Sequence, residues 1–331
     1  MHKESKKVFN NQILYKAVKL FDLEKDSVKS LGGFESFIFA AKCKYKDVIL
    51  RISHSLHRTK NEIKAEIEWV NFLFEKGLPV PRAYRSINHN TVEVIKAGDS
   101  YFLATVTTKL KGDHIKRDEK TDKIFYNLGK ILGKMHRETK DFRFSNPAFT
   151  RPCWDKEFNE LVEFLPEEQM KVQQRIDEPL DEIYKLPRDK DSFGLIHTDA
   201  HFGNMFVDKG NLNIFDFDDS AYKWFVSDIA IVVFYEVLLK YDTLNKQDIA
   251  ALIMTNLMKG YREENHLANI WLDKMPLFLK LRELTLYLVI YRSFDINNLK
   301  DPWCVSYMKN RKEKIEKGVP FLPHDFTKYK L

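Results

Sequence analysis

The chain has 331 residues, of which 44% are hydrophobic and 31% are charged, and its formal net charge is +6. That length can supply two lobes with a substantial core. The mild basic excess suits an anionic small ligand and argues against a nucleic-acid-binding protein, because no dense basic stripe accompanies it. The three cysteines, Cys43, Cys153 and Cys304, lie far apart. This spacing argues against a disulfide framework and against a zinc site, and it fits a reducing cytosol.

The N-terminus reads Met-His-Lys-Glu-Ser-Lys-Lys and lacks the apolar core of a signal peptide. Two apolar stretches, 228–240 and 276–292, resemble membrane spans, but the first is too short and the second carries charged residues. We therefore expect a cytoplasmic protein with neither a nucleic-acid nor a membrane partner. The oligomeric state stays open.

The first third of the chain has the pattern of a small strand-rich lobe with one main helix. Residues 27–53 alternate apolar and polar side chains, which is typical of strands. Residues 58–76 have helical spacing and stop at Gly77. A helix is also expected over 9–24. Pro79 and Pro81 open one further strand, and two more are expected over 91–95 and 101–107.

After Lys109 the pattern becomes mainly helical. No low-complexity linker separates the two halves, so we expect a tight hinge near 107–112. The expected division is an N-terminal lobe over 1–108 and a C-terminal lobe over 109–331. The helices expected in the second lobe cover 121–138, 155–164, 168–184, 228–240, 246–260 and 276–293.

The most informative stretch is 194–219, where an Asp, an Asn five residues later and another Asp flank a hairpin pattern. Two short apolar segments, 205–207 and 212–215, enclose the turn-forming residues Asp-Lys-Gly-Asn. A tight hairpin would bring Asn204 and Asp216 together as oxygen ligands for a metal, and it would leave the Asp199 carboxylate free to accept a proton. These are the groups that phosphoryl transfer from Mg-ATP to a hydroxyl requires.

The motif His197-Thr198-Asp199-Ala200-His201-Phe202-Gly203-Asn204, followed by Ile214-Phe215-Asp216-Phe217-Asp218, resembles the aminoglycoside phosphotransferase and choline kinase superfamily. The chain is most similar to the homoserine-kinase-like and bacterial stress-kinase-like branch of that superfamily. The family usually has Gly at the position of Thr198, which is a mild departure. The resemblance covers about residues 25–295. It implies an α+β, two-lobed, protein-kinase-like fold, with a small antiparallel sheet lobe and a larger, mostly helical lobe.

The resemblance implies ATP and Mg²⁺ as cofactors, Asp199 as the catalytic base, and Asn204 and Asp216 as metal ligands. His197 is interpreted as a buried scaffold residue whose ring bonds the backbone near the loop. Asp218 and Asp219 are expected to cap the next turn, with binding of a second metal or orientation of a water as the alternative. For Asp228, the alternatives are a helix N-cap and a buttress of the catalytic loop.

The small lobe is expected to bind the nucleotide. The turn formed by Gly32, Gly33 and Ser36 would cover the phosphates, since glycines let backbone N–H groups approach closely. A kinase usually places a Lys on the third strand, but this chain has Arg51 there, which would pair with Glu66 or else point to solvent. Glu62 and Glu68 compete with Glu66 for that role, and the hinge near Thr108 would contact adenine.

The acceptor is the least determined element. Residues 261–331 contain 13 Lys and Arg against nine Asp and Glu. This balance favours a neutral, zwitterionic or anionic acceptor over an aminoglycoside, and Arg282, Tyr287 and Tyr291 are possible wall residues. We expect a small hydroxylated metabolite, such as an amino alcohol, hydroxy-amino acid, sugar or aminoglycoside-like compound. The alternatives are a protein Ser/Thr kinase of the stress-response type and a nucleotide-binding pseudoenzyme.

Overall fold

The structure is a computed structural model that describes residues 3–44, 46–116, 121–239 and 245–331. The strands are β1 Lys29–Gly32, β2 Phe37–Cys43, β3 Lys46–His54, β4 Glu93–Ala97, β5 Ser100–Thr108, β6 Asp113–His114, β7 Phe193–Ile196, β8 Met205–Asp208, β9 Asn211–Ile214 and β10 Ala221–Trp224. The helices are α1 Lys3–Val8, α2 Asn11–Leu20, α3 Lys60–Glu75, α4 Asp122–Thr139, α5 Trp154–Val162, α6 Met170–Ile183, α7 Val226–Leu238, α8 Lys246–Glu264, α9 Ile270–Asp273, α10 Met275–Ser293, α11 Pro302–Met308 and α12 Arg311–Glu316. Short 3₁₀ turns cover Lys25–Ser27, Phe202–Asn204, Ile296–Asn298 and Phe326–Tyr329.

The chain forms two compact units that interleave along the sequence. The first unit contains Met1–Asp113, Phe142–Arg151 and Phe206–Asp218, and the second contains His114–Asp141, Pro152–Met205 and Asp219–Leu331. The mixed architecture, an antiparallel sheet in one unit and mostly helices in the other, confirms the predicted fold class. The lobe boundary between 108 and 109 stays a prediction.

The first unit is built on a five-stranded antiparallel sheet with the order β1-β2-β3-β5-β4. Strand β3 lies at its centre. Val48, Leu50 and Ile52 are fully buried on one face of this strand. That face packs against α2 through a cluster that includes Ala17. The other face packs against α3 through Ile63, Ile67, Val92 and Leu103. The alternation of β3 therefore places Arg51 on the face that carries α3.

Two further features of the first unit bear on the sequence analysis. The expected strand at Pro79 and Pro81 is wrong, because this segment makes only an isolated bridge between Ala83 and Thr107. Proline lacks the N–H that a strand needs, which limits pairing here. The hairpin predicted after Asn204 is present as β8 and β9.

The second unit is mainly helical. Its helices α4 and α8 pack closely against each other at glycines. A Cβ on Gly129 of α4 would lie 2.0 Å from the Leu257 carbonyl oxygen, and one on Gly260 of α8 would lie 2.0 Å from the Tyr126 carbonyl oxygen. The predicted helices all appear within a few residues of their expected bounds, although Lys240, at the end of one of them, lies outside the described residues. Strands β7 and β10 pair antiparallel, with Ile196 opposite Ala221. Among the described residues, no helix has the length and apolar character needed to cross a membrane.

Candidate active site

The centre of the first unit's polar site is Arg51. Its Nη2 lies 2.7 Å from Glu66 Oε2, and its Nη1 lies 3.5 Å from Asp218 Oδ1. Burial opposes the charge of Arg51, but the carboxylates of Glu66 and Asp218 outweigh that effect and raise its pKa above the usual value. The side chain is only 14% exposed, so Arg51 does not simply point to solvent.

The three glutamates of α3 that are alternative partners for Arg51 form different contacts. Glu62 forms a capping box with Thr59, whose backbone nitrogen lies 2.8 Å from the Glu62 carboxylate. Glu68 accepts from the Ser145 hydroxyl at 2.8 Å. Glu66 is buried, 6% exposed, and binds Arg51. The predicted Arg51–Glu66 pair is therefore present.

Asp218 joins more distant parts of the first unit. Its Oδ2 lies 2.5 Å from His57 Nε2, and its backbone carbonyl accepts from Arg58 at 3.0 Å and from Arg151. The expectation that Asp218 caps a turn is wrong, because its carboxylate is committed to His57 and Arg51. Burial would raise the Asp218 pKa, but the charges of His57, Arg51 and Arg58 lower it well below its usual range. Sequence reasoning missed His57, Arg58 and Arg151.

The glycine turn lies between β1 and β2. Gly32 and Gly33 have φ values of 90° and 129°, in the region that favours glycine. A Cβ on Gly33 would lie 2.0 Å from the Ser36 carbonyl oxygen. The Ser36 hydroxyl is buried and lies 2.7 Å from the Ser53 hydroxyl. The backbone N–H groups of this turn, more than the Ser36 hydroxyl, are therefore the groups suited to a phosphate.

Thr108 is the last residue of β5 and forms hydrogen bonds with Arg82. Its backbone N–H donates to the Arg82 carbonyl at 2.9 Å, and its hydroxyl accepts from the Arg82 N–H at 2.9 Å. Thr108 also pairs with Val48 of β3. Backbone hydrogen bonds of the sheet therefore fix the position at which the hinge is predicted.

Asp216 follows β9 as an exposed residue in the left-handed region, with φ of 64°. A non-glycine residue in this region is uncommon and is held there by its surroundings. Its carboxylate lies close enough to Arg51 to help raise the arginine's pKa. Asp216 is therefore an exposed acid that interacts electrostatically with Arg51, and its role as a metal ligand stays a prediction.

The centre of the second unit's polar site is Asp199. Its Oδ1 accepts from Arg282 Nη2 at 2.5 Å, and its Oδ2 accepts from Asn204 Nδ2 at 2.9 Å. His201 Nε2 lies 3.2 Å from the same Oδ2. Burial would raise the pKa of Asp199, but the charge of Arg282 and the hydrogen bond from His201 lower it well below its usual range. Asp199 and Asn204, predicted as parts of one site, thus lie in direct contact.

Buried Asp228 holds the loop that carries Asp199. Its two carboxylate oxygens accept the backbone N–H of His197 at 3.2 Å and of Thr198 at 2.8 Å. Thr198 has φ of 65°, which explains why glycine is usual at this position in the family that the motif resembles. Helix α7 begins before Asp228, so the N-cap alternative is wrong and the residue acts as a buttress. His197 Nδ1 accepts from the Asp199 N–H at 3.3 Å, as expected for a scaffold residue.

Arg282 connects Asp199 to the aromatic Tyr235. Its Nη2 donates to the Tyr235 hydroxyl as well as to Asp199, and its guanidinium lies 5.0 Å from the centroid of the Tyr235 ring. Burial and the charge of Arg282 lower the pKa of Lys223 to about 8. The sequence suggested Arg282 as a wall residue but identified neither Tyr235 nor Lys223.

Some of these groups suit a divalent metal. Both side-chain hydrogen bonds that the structure describes for Asn204 use its amide nitrogen, which leaves the amide oxygen as the atom that can bind a cation. Among the described residues, no group of three or more His, Cys, Asp and Glu could hold a metal. Mg²⁺ bound by one or two protein oxygens commonly completes its coordination with water and nucleotide phosphates.

Comparisons with known proteins identify the family to which the chain belongs. A sequence model of the Phosphotransferase enzyme family (APH) matches residues 31–252. The chain is 36% identical to the amicoumacin kinase of Bacillus subtilis (strain 168) over 99% of its length and 98% of that protein's length. A solved structure of the amicoumacin kinase hAmiN in complex with AMP-PNP, Ca²⁺ and Ami has 30% identity, covers 99% of both chains and has a TM-score of 0.93.

A more distant structure shares the fold. The microcompartment-associated aminopropanol kinase has 20% identity and a TM-score of 0.74, covering 93% of this chain and 97% of its own. The matched family covers most of the chain, and the similarity to amicoumacin kinase spans nearly all of it. The chain therefore belongs to the phosphotransferase enzyme family, as an ATP-dependent kinase that acts on a hydroxyl group of a small molecule.

Proposed function

We propose that this protein transfers the γ-phosphoryl group of ATP to a hydroxyl that binds beside Asp199. The observation that carries the proposal is the setting of this carboxylate: three side chains hold its two oxygens, and a loop buttressed by Asp228 supports it. A fixed carboxylate can orient an acceptor hydroxyl and accept its hydrogen bond. Orientation of this kind matters most in phosphoryl transfer, where the transition state is loose.

The nucleotide is assigned to residues of the first unit. The backbone of Gly32 and Gly33 would lie over the phosphates, with Ser36 holding the turn in shape, while Arg51, fixed by Glu66, would neutralise phosphate charge. The backbone at Thr108 would lie near adenine. Asn204 and Asp216 would hold Mg²⁺, which neutralises the phosphate charge when it is bound.

The acceptor is proposed to be a small hydroxylated compound, and amicoumacin is the first candidate. The relative that is 36% identical over almost the whole chain is named for that substrate. Two cations, Arg282 and Lys223, lie near the Asp199 loop, which favours a neutral, zwitterionic or anionic group beside the reacting hydroxyl. The three cysteines are free thiols, which supports a location in the cytoplasm.

The test is a turnover screen with the full chain, Mg²⁺ and ATP. Amicoumacin, 1-amino-2-propanol, an aminoglycoside and a library of Ser/Thr peptides are compared by ADP formation and by mass spectrometry of the product. We expect a phosphorylated small molecule and no labelled peptide. Phosphorylation of peptides alone would replace the proposal by the protein-kinase alternative, and nucleotide binding without any product would favour a pseudoenzyme.

A further inference from the structure

A large exposed aromatic side chain lies on α11. Trp303 is 40% exposed, and its ring is nearly parallel to that of Tyr307, at 4° and 5.6 Å between centroids. Tyr307 is buried, donates from its hydroxyl to the Glu283 carbonyl at 2.7 Å and lies under the guanidinium of Arg311 at 4.4 Å. The support under Trp303 is therefore rigid, while much of the indole surface remains available.

This indole is connected to the Asp199 loop by a second aromatic ring. The Tyr235 centroid lies 6.4 Å from that of Trp303 and 4.4 Å from that of His201. The Tyr235 hydroxyl accepts from Arg282, which also binds Asp199. A continuous row of rings thus leads from the candidate reacting centre to the exposed indole.

We propose that Tyr235 and Trp303 form an aromatic shelf that binds a ring-shaped, carbon-rich part of the acceptor while its hydroxyl lies at Asp199. This inference rests on the proposed function and specifies its substrate class. Aromatic faces recognise rings or cations. The guanidinium of Arg282 already lies over Tyr235, and Lys223 adds positive charge near Arg282, so a cationic group is disfavoured here. An amino alcohol without a ring would leave the shelf uncovered.

The experiment measures equilibrium binding by calorimetry to the full chain saturated with AMP-PNP. The two probes are 1-phenylethane-1,2-diol and propane-1,2-diol, which are uncharged and differ in carrying a phenyl or a methyl group beside the same hydroxyl. We expect the phenyl compound to bind wild-type protein about tenfold more tightly, and Trp303→Ala to reduce this preference to about twofold or less. Trp303→Phe retains a ring and should retain most of the preference.

Matched variants separate recognition from general damage. Phe164, 48% exposed after the end of α5, is mutated to Ala as a control that should leave the preference unchanged. If Trp303→Ala does not fold, Trp303→Leu keeps apolar volume without a planar ring and should lose the preference. Equal binding of the two probes by wild-type protein, or a preference that survives in Trp303→Leu, overturns the shelf.

Turnover is measured on the same samples with Mg-ATP. A ring preference in binding that depends on Trp303, together with no phosphorylated product from any acceptor, would support the shelf and contradict the proposed function. Product formation without a ring preference would support the proposed function and contradict the shelf. With amicoumacin as acceptor, Trp303→Ala should raise KM by a factor about ten times larger than the factor by which it lowers kcat.

Discussion

Arg51 and Arg282 are both buried arginines that bind a carboxylate, yet their surroundings differ. Arg51 lies between two carboxylates, Glu66 and Asp218. Arg282 binds one carboxylate, Asp199, and one phenol, Tyr235, and its Nε is buried without a hydrogen-bond partner among the described residues. The first arginine is fully compensated inside its unit, and the second retains a donor that a ligand could use.

This difference indicates two kinds of preorganisation. An arginine held between two acids keeps its position whether or not a ligand is present. If it moved away, two buried carboxylates would be left without a compensating positive charge. The Asp199 carboxylate, by contrast, retains Asn204 and His201 as donors even when Arg282 moves. We therefore expect Arg51 to behave as a structural part of the nucleotide side and Arg282 as an exchangeable part of the acceptor side.

The largest effect should follow from breaking the Arg51 pair. Glu66→Gln leaves Arg51 short of a compensating charge in a buried site, which should lower the free energy of unfolding by about 3 kcal/mol. The measurement is urea denaturation followed by circular dichroism. Glu263→Gln is the matched control, since Glu263 pairs with Lys130 at the surface, and it should change stability little. Equal stability of the two variants would contradict the assignment of Arg51 as structural.

A smaller and different effect is expected for Arg282. Arg282→Gln should raise the acceptor KM about tenfold, because a charged hydrogen bond to the ligand is lost, while the stability of the fold stays near that of wild-type protein. Arg282→Lys should recover part of the loss. Steady-state kinetics and denaturation of the same preparations check both points. A variant as unstable as Glu66→Gln would make Arg282 a structural residue too.

The smallest effect concerns pH and the His57–Asp218 contact. Burial lowers the pKa of His57, but the charge and hydrogen bond of Asp218 raise it above its usual value of 6.5. A raised folded-state pKa contributes stability that is complete below pH 6.5 and is lost as the pH rises through the folded-state value.

The variant His57→Gln keeps a donor without the charge. Its deficit in unfolding free energy relative to wild-type protein should be larger at pH 6 than at pH 9. Denaturation curves at the two pH values provide the comparison. A deficit independent of pH would mean that His57 contributes by its shape and hydrogen bond alone.

Local patterns in the sequence predicted much of this arrangement. The alternation of β3 placed Arg51 opposite the buried face of the strand, and helical spacing placed Glu66 near the buried stripe of α3. The hairpin after Asn204 followed from its turn residues. Each of these depends on neighbours within a few positions, which is where periodicity carries information.

Contacts between distant segments could not be predicted in this way. His57 and Asp218 are 161 positions apart, and Arg282 and Asp199 are 83 apart. No local rule specifies which of several acids a buried arginine binds. The wrong strand at Pro79 has another cause, because an apolar stretch between prolines resembles a strand while lacking the donors that a sheet requires.

The most direct test of the account is acceptor-stimulated ADP formation by wild-type protein and Asp199→Asn, with amicoumacin and Mg-ATP. Asparagine keeps the size of the side chain and removes its charge. The account predicts that wild-type turnover rises with the acceptor and falls by about 10²- to 10⁴-fold in the variant, while AMP-PNP binding is retained. Equal acceptor-stimulated turnover by the two proteins would contradict the assignment of Asp199 to the acceptor hydroxyl.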